Sequence, residues 1–127
     1  MAWALFAAVS AQPMMPHKFY GEVQINGHPA PAGTTIEARA EGVIGAPDDP
    51  ELGGNPITTR SRGVYGESVA PGRKLIVGGE LGMRVPIRFY VNGVRAQCYD
   101  PKAEAWRDDY PYEPGEITNL DLSVFYP

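Results

Sequence analysis

Twice in this chain an Asn-Gly dipeptide stands between runs of alternating apolar and polar residues. The first, Asn26-Gly27, follows a run in which Phe19, Gly21, Val23 and Ile25 share one face and Tyr20, Glu22 and Gln24 the other. The second, Asn92-Gly93, follows Val85, Ile87, Phe89 and Val91, with Arg88 and Tyr90 opposite, and precedes Val94, Ala96 and Cys98. Period-two alternation marks a half-buried strand. Asn-Gly is the strongest short-range hairpin signal, because both residues tolerate positive φ. Two such hairpins in a chain rich in turn signals point to an all-β design.

The remaining elements follow from punctuation. Residues 29–33 (Pro-Ala-Pro-Ala-Gly) lead into a second strand, with Thr34, Ile36, Ala38 and Ala40 facing one way. Residues 42–56 hold glycines, an asparagine and three prolines and read as loop. Short strands are expected at 57–61, 64–69 and 74–77, and a long loop rich in acids and aromatics at 100–115. The last strand covers 116–125 and buries Leu120, Leu122 and Val124. Pro86 belongs near a strand start, where a ladder donor can be spared. No segment has a helical period. Short strands separated by turn signals predict a β-sandwich or barrel.

The 127 residues suit one domain. Gly and Pro make up about a fifth of the chain and are dispersed as turn punctuation. Seven Tyr and four Phe supply the burial that a disordered chain lacks. A net charge of −4 with interspersed signs gives no footprint for nucleic acid, and no basic block marks an anionic membrane surface. Cys98 is the only cysteine, which excludes an intrachain disulfide. Its parity in the strand predicts a buried thiol.

Residues 1–11 (MAWALFAAVSA) differ from all that follows. They carry no charge and end in Val9-Ser10-Ala11, small at the last and third-last positions. That pattern fits a signal peptide lacking its basic n-region. The competing readings are a retained apolar segment that packs on this or a neighbouring subunit and an internal helix. Eleven residues are too few to span a bilayer. The mature domain is then 12–127, secreted or at the cell surface.

The residues after this segment resemble a known kind of module. Phe19-Tyr20-Gly21-x-Val23-x-Ile25-Asn26-Gly27-x-Pro29-Ala30-Pro31-x-Gly33-Thr34 is similar to the opening of small Ig-like modules in bacterial and archaeal surface proteins. These are akin to carboxypeptidase regulatory-like and transthyretin-like sandwiches. Gly63-Val64-Tyr65-Gly66, the stretch from Ile87 to Ala96, Trp106, and the closing stretch from Gly115 to Leu122 extend the likeness over residues 16–125. The resemblance implies a single Greek-key Ig-like β-sandwich of about seven strands, acting as a secreted spacer, adhesion module or polymer subunit. The long acidic 100–115 loop departs from that pattern.

No nucleophile-base pairing emerges. There is no Gly-x-Ser-x-Gly, and His17 and His28 are the only histidines. An enzyme is therefore not expected. Two acidic clusters invite a calcium reading: Asp48, Asp49 and Glu51, and Asp108 with Asp109. The competing reading is a solvated acidic surface. Trp106, Tyr110 and Tyr112 form either a platform for a glycan or protein partner, or a loop folded back with Trp106 plugging the end of the sandwich. The leading expectation is a non-enzymatic structural or adhesive module. The alternatives are a filament subunit, in which residues 1–20 add to the edge strand of another copy, and a carbohydrate- or calcium-binding accessory module.

Overall fold

A computed structural model describes residues 15–126. The signal-peptide reading of residues 1–11 falls outside them. The described chain is all-β. Its strands form a nearly closed, barrel-like sheet in the order β5-β6-β9-β1-β15-β11-β10-β3-β7. The first half supplies β1 (His17–Ile25), β2 (His28–Pro29), β3 (Thr35–Arg39), β4 (Val43–Ile44), β5 (Ala46–Asp49), β6 (Gly53–Asn55), β7 (Ile57–Thr58) and β8 (Val64–Tyr65). The second half supplies β9 (Lys74–Gly79), β10 (Pro86–Val91), β11 (Val94–Asp100), β12 (Ala105–Arg107), β13 (Tyr110–Pro111), β14 (Ile117–Asn119) and β15 (Asp121–Val124).

Both Asn-Gly pairs turn hairpins as their chemistry dictates. Asn26 and Gly27 have φ of 52° and 80°, and Asn92 and Gly93 have 49° and 81°. Positive φ at both central residues gives the primed turn whose twist matches paired strands. Ile25 then faces His28, and Val91 faces Val94. The expected parity places Phe19, Val23, Ile36, Ala38, Ile87, Phe89, Ala96 and Cys98 in the core. Pro86 begins its strand.

Two segments read as loop are strand. Residues 42–56 contain β4, β5 and β6. β6 packs so closely that a Cβ on Gly53 would lie 2.0 Å from the Lys74 carbonyl oxygen, and one on Gly54 2.2 Å from that of Pro47. The glycines that signal a breaker in sequence are what let three backbones meet. β6 pairs with β9, and β7, one proline later, pairs with β3. One short stretch of chain thus touches both ends of the strand order. Asn55 links the two sides: its amide nitrogen donates to the Ala38 carbonyl and its oxygen accepts the Ala38 N–H, each at 2.9 Å. A side chain here does the work of a backbone pair.

Residues 100–115 likewise carry β12 and β13. The first pairs with β11 and the second with β10, at ends of the hairpin where β10 and β11 no longer pair with each other. This wedge buries Tyr110 and Tyr112.

β1 lies inside the sheet. It runs parallel to β14 and β15 on one side and antiparallel to β9, β8 and β2 on the other. Residues 17–20, part of the segment expected as a donor to another copy, are thus paired within their own chain.

Candidate functional site

The parallel seam between β1 and the last strands is interrupted at Leu120. Its N–H donates to the Tyr20 carbonyl at 2.8 Å, and its carbonyl accepts the buried Tyr65 hydroxyl. Gly21 faces that carbonyl; a Cβ there would stand 2.5 Å from the Leu120 oxygen, so only glycine allows the approach. Above this interruption lies a cleft of about 510 Å3. Its floor is Tyr20, Gly21 and Glu22, one wall is Val64 to Val69, and the other is Asn119 and Asp121.

The lining is rich in acceptors. Glu22, Glu67 and Asp121 supply carboxylates, Asn119 an amide and Ser68 a hydroxyl, and among the described residues no Lys, Arg or His lines it. Two carboxylates are fixed by one oxygen each. Asp121 Oδ1 accepts the Glu22 N–H at 3.0 Å, and Glu67 Oε1 accepts the Arg73 N–H at 2.9 Å. The second oxygen of each is left for other donors. Val64 and Val69 are exposed beside them.

Two buried cations follow the wall in the chain, and one of them, Lys74, braces it from behind. Lys74 Nζ donates to the carbonyls of Val69 at 2.9 Å and Gly72 at 3.3 Å, and lies 5.7 Å from the centre of the Tyr20 ring. Burial pulls its pKa down. Arg73 donates to Asp48 Oδ1 at 2.6 Å and to the Thr58 carbonyl at 3.3 Å. The cleft therefore repels anions and offers hydrogen-bond acceptors beside an aromatic ring and two exposed valines.

The acids singled out in the sequence are placed elsewhere. Asp48 is held by Arg73, and its Oδ2 accepts the Thr58 N–H at 2.9 Å. Asp49 Oδ1 accepts the N–H groups of Glu51 at 2.7 Å and Leu52 at 2.9 Å, which hold its carboxyl below the usual range. Glu51 is exposed in that turn. Asp108 receives Gln97 Nε2 at 3.5 Å, and Asp109 faces Arg107 at 3.5 Å. The first group sits at β5 and the second between β12 and β13. Among the described residues, no three His, Cys, Asp or Glu side chains are grouped to hold a metal ion.

The aromatic trio is divided. Tyr110 and Tyr112 face the core, whereas Trp106 is 48% exposed and meets Tyr99 edge-on, with ring centres 5.4 Å apart. Trp106 thus lies on the outer surface and does not plug an end. Behind that pair, Asp100 is nearly buried. Burial pushes its pKa up, but the Lys102 and Ala103 N–H groups and the Arg107 guanidinium outweigh it and hold the carboxyl low. Cys98 is fully buried, and loss of solvation drives its thiol up to about 12.

Sequence reasoning missed the cleft because its residues come from three separated stretches. Only the outward parity of Tyr20 and Glu22 pointed to that face. No family model, curated protein or solved structure matches the chain. Among the described residues, no helix is long and apolar enough to cross a membrane.

Proposed function

We propose that this protein is a non-enzymatic structural or adhesive β-module of the cell exterior, and that its adhesive face is the cleft over β1. One observation carries the reading: the side chains with the greatest chemical potential serve the fold. Cys98 is a buried, protonated thiol, His17 is enclosed, and Arg73, Asp48, Asp100 and Arg107 are spent on one another and on backbone groups. The cleft, by contrast, has unspent acceptors. Carboxylate and amide oxygens beside an aromatic ring suit a hydroxyl-rich ligand such as a glycan. The secreted location rests on the apolar, small-residue pattern of residues 1–11, and the finer architecture, a seven-strand Greek-key sandwich, rests on the resemblance of the turn motifs.

The test is a glycan array probed with the wild-type protein and with a Tyr20→Ala, Glu22→Gln variant. Binding by the wild type that the variant loses supports adhesion through the cleft. Binding that the variant retains moves the adhesive face elsewhere. Silence on the array reduces the reading to a structural spacer. Turnover of any glycan would sink the non-enzymatic reading altogether.

A further inference from the structure

The entry to β1 is strapped to the stretch that leads into the last strands. The Tyr112 hydroxyl donates to the Met15 carbonyl at 2.6 Å, the Gly115 N–H to the Pro16 carbonyl at 3.2 Å, and the Lys18 N–H to the Glu116 carbonyl at 2.9 Å. His17 adds two bonds through its ring. Nδ1 accepts the Glu113 N–H at 3.0 Å, and Nε2 lies 2.7 Å from Thr118 Oγ1.

Those two contacts settle the tautomer. A nitrogen that accepts an N–H carries no proton, so the ring proton sits on Nε2 and is donated to Thr118. A second proton has one place to go, Nδ1, where the Glu113 N–H already points. Acid turns this acceptor into a donor facing a donor. The tyrosine hydroxyl and the backbone groups of the strap undergo no such reversal in mild acid.

The surroundings give the imidazolium no relief. The ring is fully buried, stacked on Phe19 at 4.1 Å and flanked by Tyr110 and Tyr112 at 6.0 and 6.3 Å. β9 places Val77 opposite it and β14 places Thr118 against it. The turn before β12 brings a positive charge, Lys102. The nearest charges along the strap are Lys18, Glu113 and Glu116. The Glu113 carboxylate stands 3.9 Å from Arg84, and neither ring nitrogen is bonded to a carboxylate.

We propose that His17 is an acid-sensitive latch, whose protonation releases the strap between residues 15–18 and 112–118 and opens this end of the sheet while the hairpin of β10 and β11 stays closed. Burial first, and Lys102 second, lower the ring's pKa from 6.5 to about 4. The folded form thus binds fewer protons than the opened form between those values. The latch is fully engaged above about pH 6.5 and is lost as the pH falls toward 4.

The test is amide hydrogen exchange followed by NMR from pH 7 to pH 4, corrected for intrinsic exchange rates. The amides of Glu113, Gly115 and Lys18 report the strap, and those of β10 and β11 the body of the sheet. The expected result is an opening constant that rises on the order of a hundredfold for the strap amides alone. The nitrogen shifts of His17 should show the Nε2-protonated neutral ring at pH 6. His17→Gln keeps an acceptor and a donor without a titration, so its strap should open independently of pH. If that variant does not fold, the wild type decides alone. A rise shared equally by β10 and β11, no rise, or an unchanged pH response in H17Q each overturns the latch.

Discussion

The hairpin of β10 and β11 and the wedge of residues 105–112 lie side by side, yet they are held by different means. The hairpin is local. Its turn is two residues long, its strands are adjacent in the chain, and its inward residues alternate without a break. The wedge is divided between β11 and β10, and it stays in place by burying Tyr110. Residues 53–58 repeat the second pattern between β9 and β3. Local turn chemistry thus shapes the hairpins, and insertion between strands distant in sequence completes the nearly closed sheet.

The largest effect should come from the hairpin's core. Phe89 is fully buried and meets Phe19 edge-on at 5.2 Å. Phe89→Ala removes a large ring from a packed site and should cost about 4 kcal/mol. Chemical denaturation followed by fluorescence measures it. A cost below about 1 kcal/mol would mean that the hairpin is not the packing centre and would reverse the comparison.

The next effect tests the insertion between β9 and β3. Asn55→Ala leaves the Ala38 N–H and carbonyl without their side-chain partner in a buried place. Two orphaned backbone groups should cost about 3 kcal/mol. Exchange of the Ala38 amide should rise with it. If stability falls but that amide stays protected, the closure does not depend on the side-chain bridge.

How much of this was legible follows the same division. The faces of β1, β3, β10, β11 and β15 could be read from alternation, because each side chain's direction is set by its parity alone. Cys98 was placed in the core by parity with Val94 and Ala96, and it lies there. Residues 42–56 and 100–115 could not be read. Gly53 and Gly54 look like breakers, whereas their lack of side chains is what admits β5 and β9 at close range. Tyr110 and Tyr112 stand in an acidic stretch with no period, and only the gap between β10 and β11 gives them an interior. The candidate cleft was less legible still. Tyr20 and Glu22 were seen to face outward, but Glu67, Asn119 and Asp121 reach them through pairings that no local pattern encodes. His17 stands just before the first alternating run, and its partners are about a hundred residues away.

A smaller effect isolates turn chemistry from packing. Gly93 has a φ of 81°, and no neighbouring heavy atom lies within 4 Å of where a Cβ would stand. Gly93→Ala therefore meets no clash and should cost about 1 kcal/mol through backbone strain alone. Gly93→Asn, a residue that tolerates this region, should cost less. Equal costs for the two would mean that the turn is held by its strands and not by its own residues.

The smallest effect concerns the outer side of the wedge. Trp106 is half exposed and touches Tyr99 across the β11–β12 pair. A cross-strand aromatic pair on a solvent face contributes a few tenths of a kcal/mol, so Trp106→Ala should lower stability by about 0.5 kcal/mol. Tyr112 lies on the inner side and is fully buried, so Tyr112→Ala should cost several times more, about 3 kcal/mol. The ratio matters more than either value, because both residues belong to one stretch that the sequence presents as uniform. If Trp106→Ala proves as damaging as Tyr112→Ala, the wedge is anchored from outside as well as inside. Its exposed tryptophan would then be part of the fold, and the outer face of β12 would lose its claim as a surface for partners.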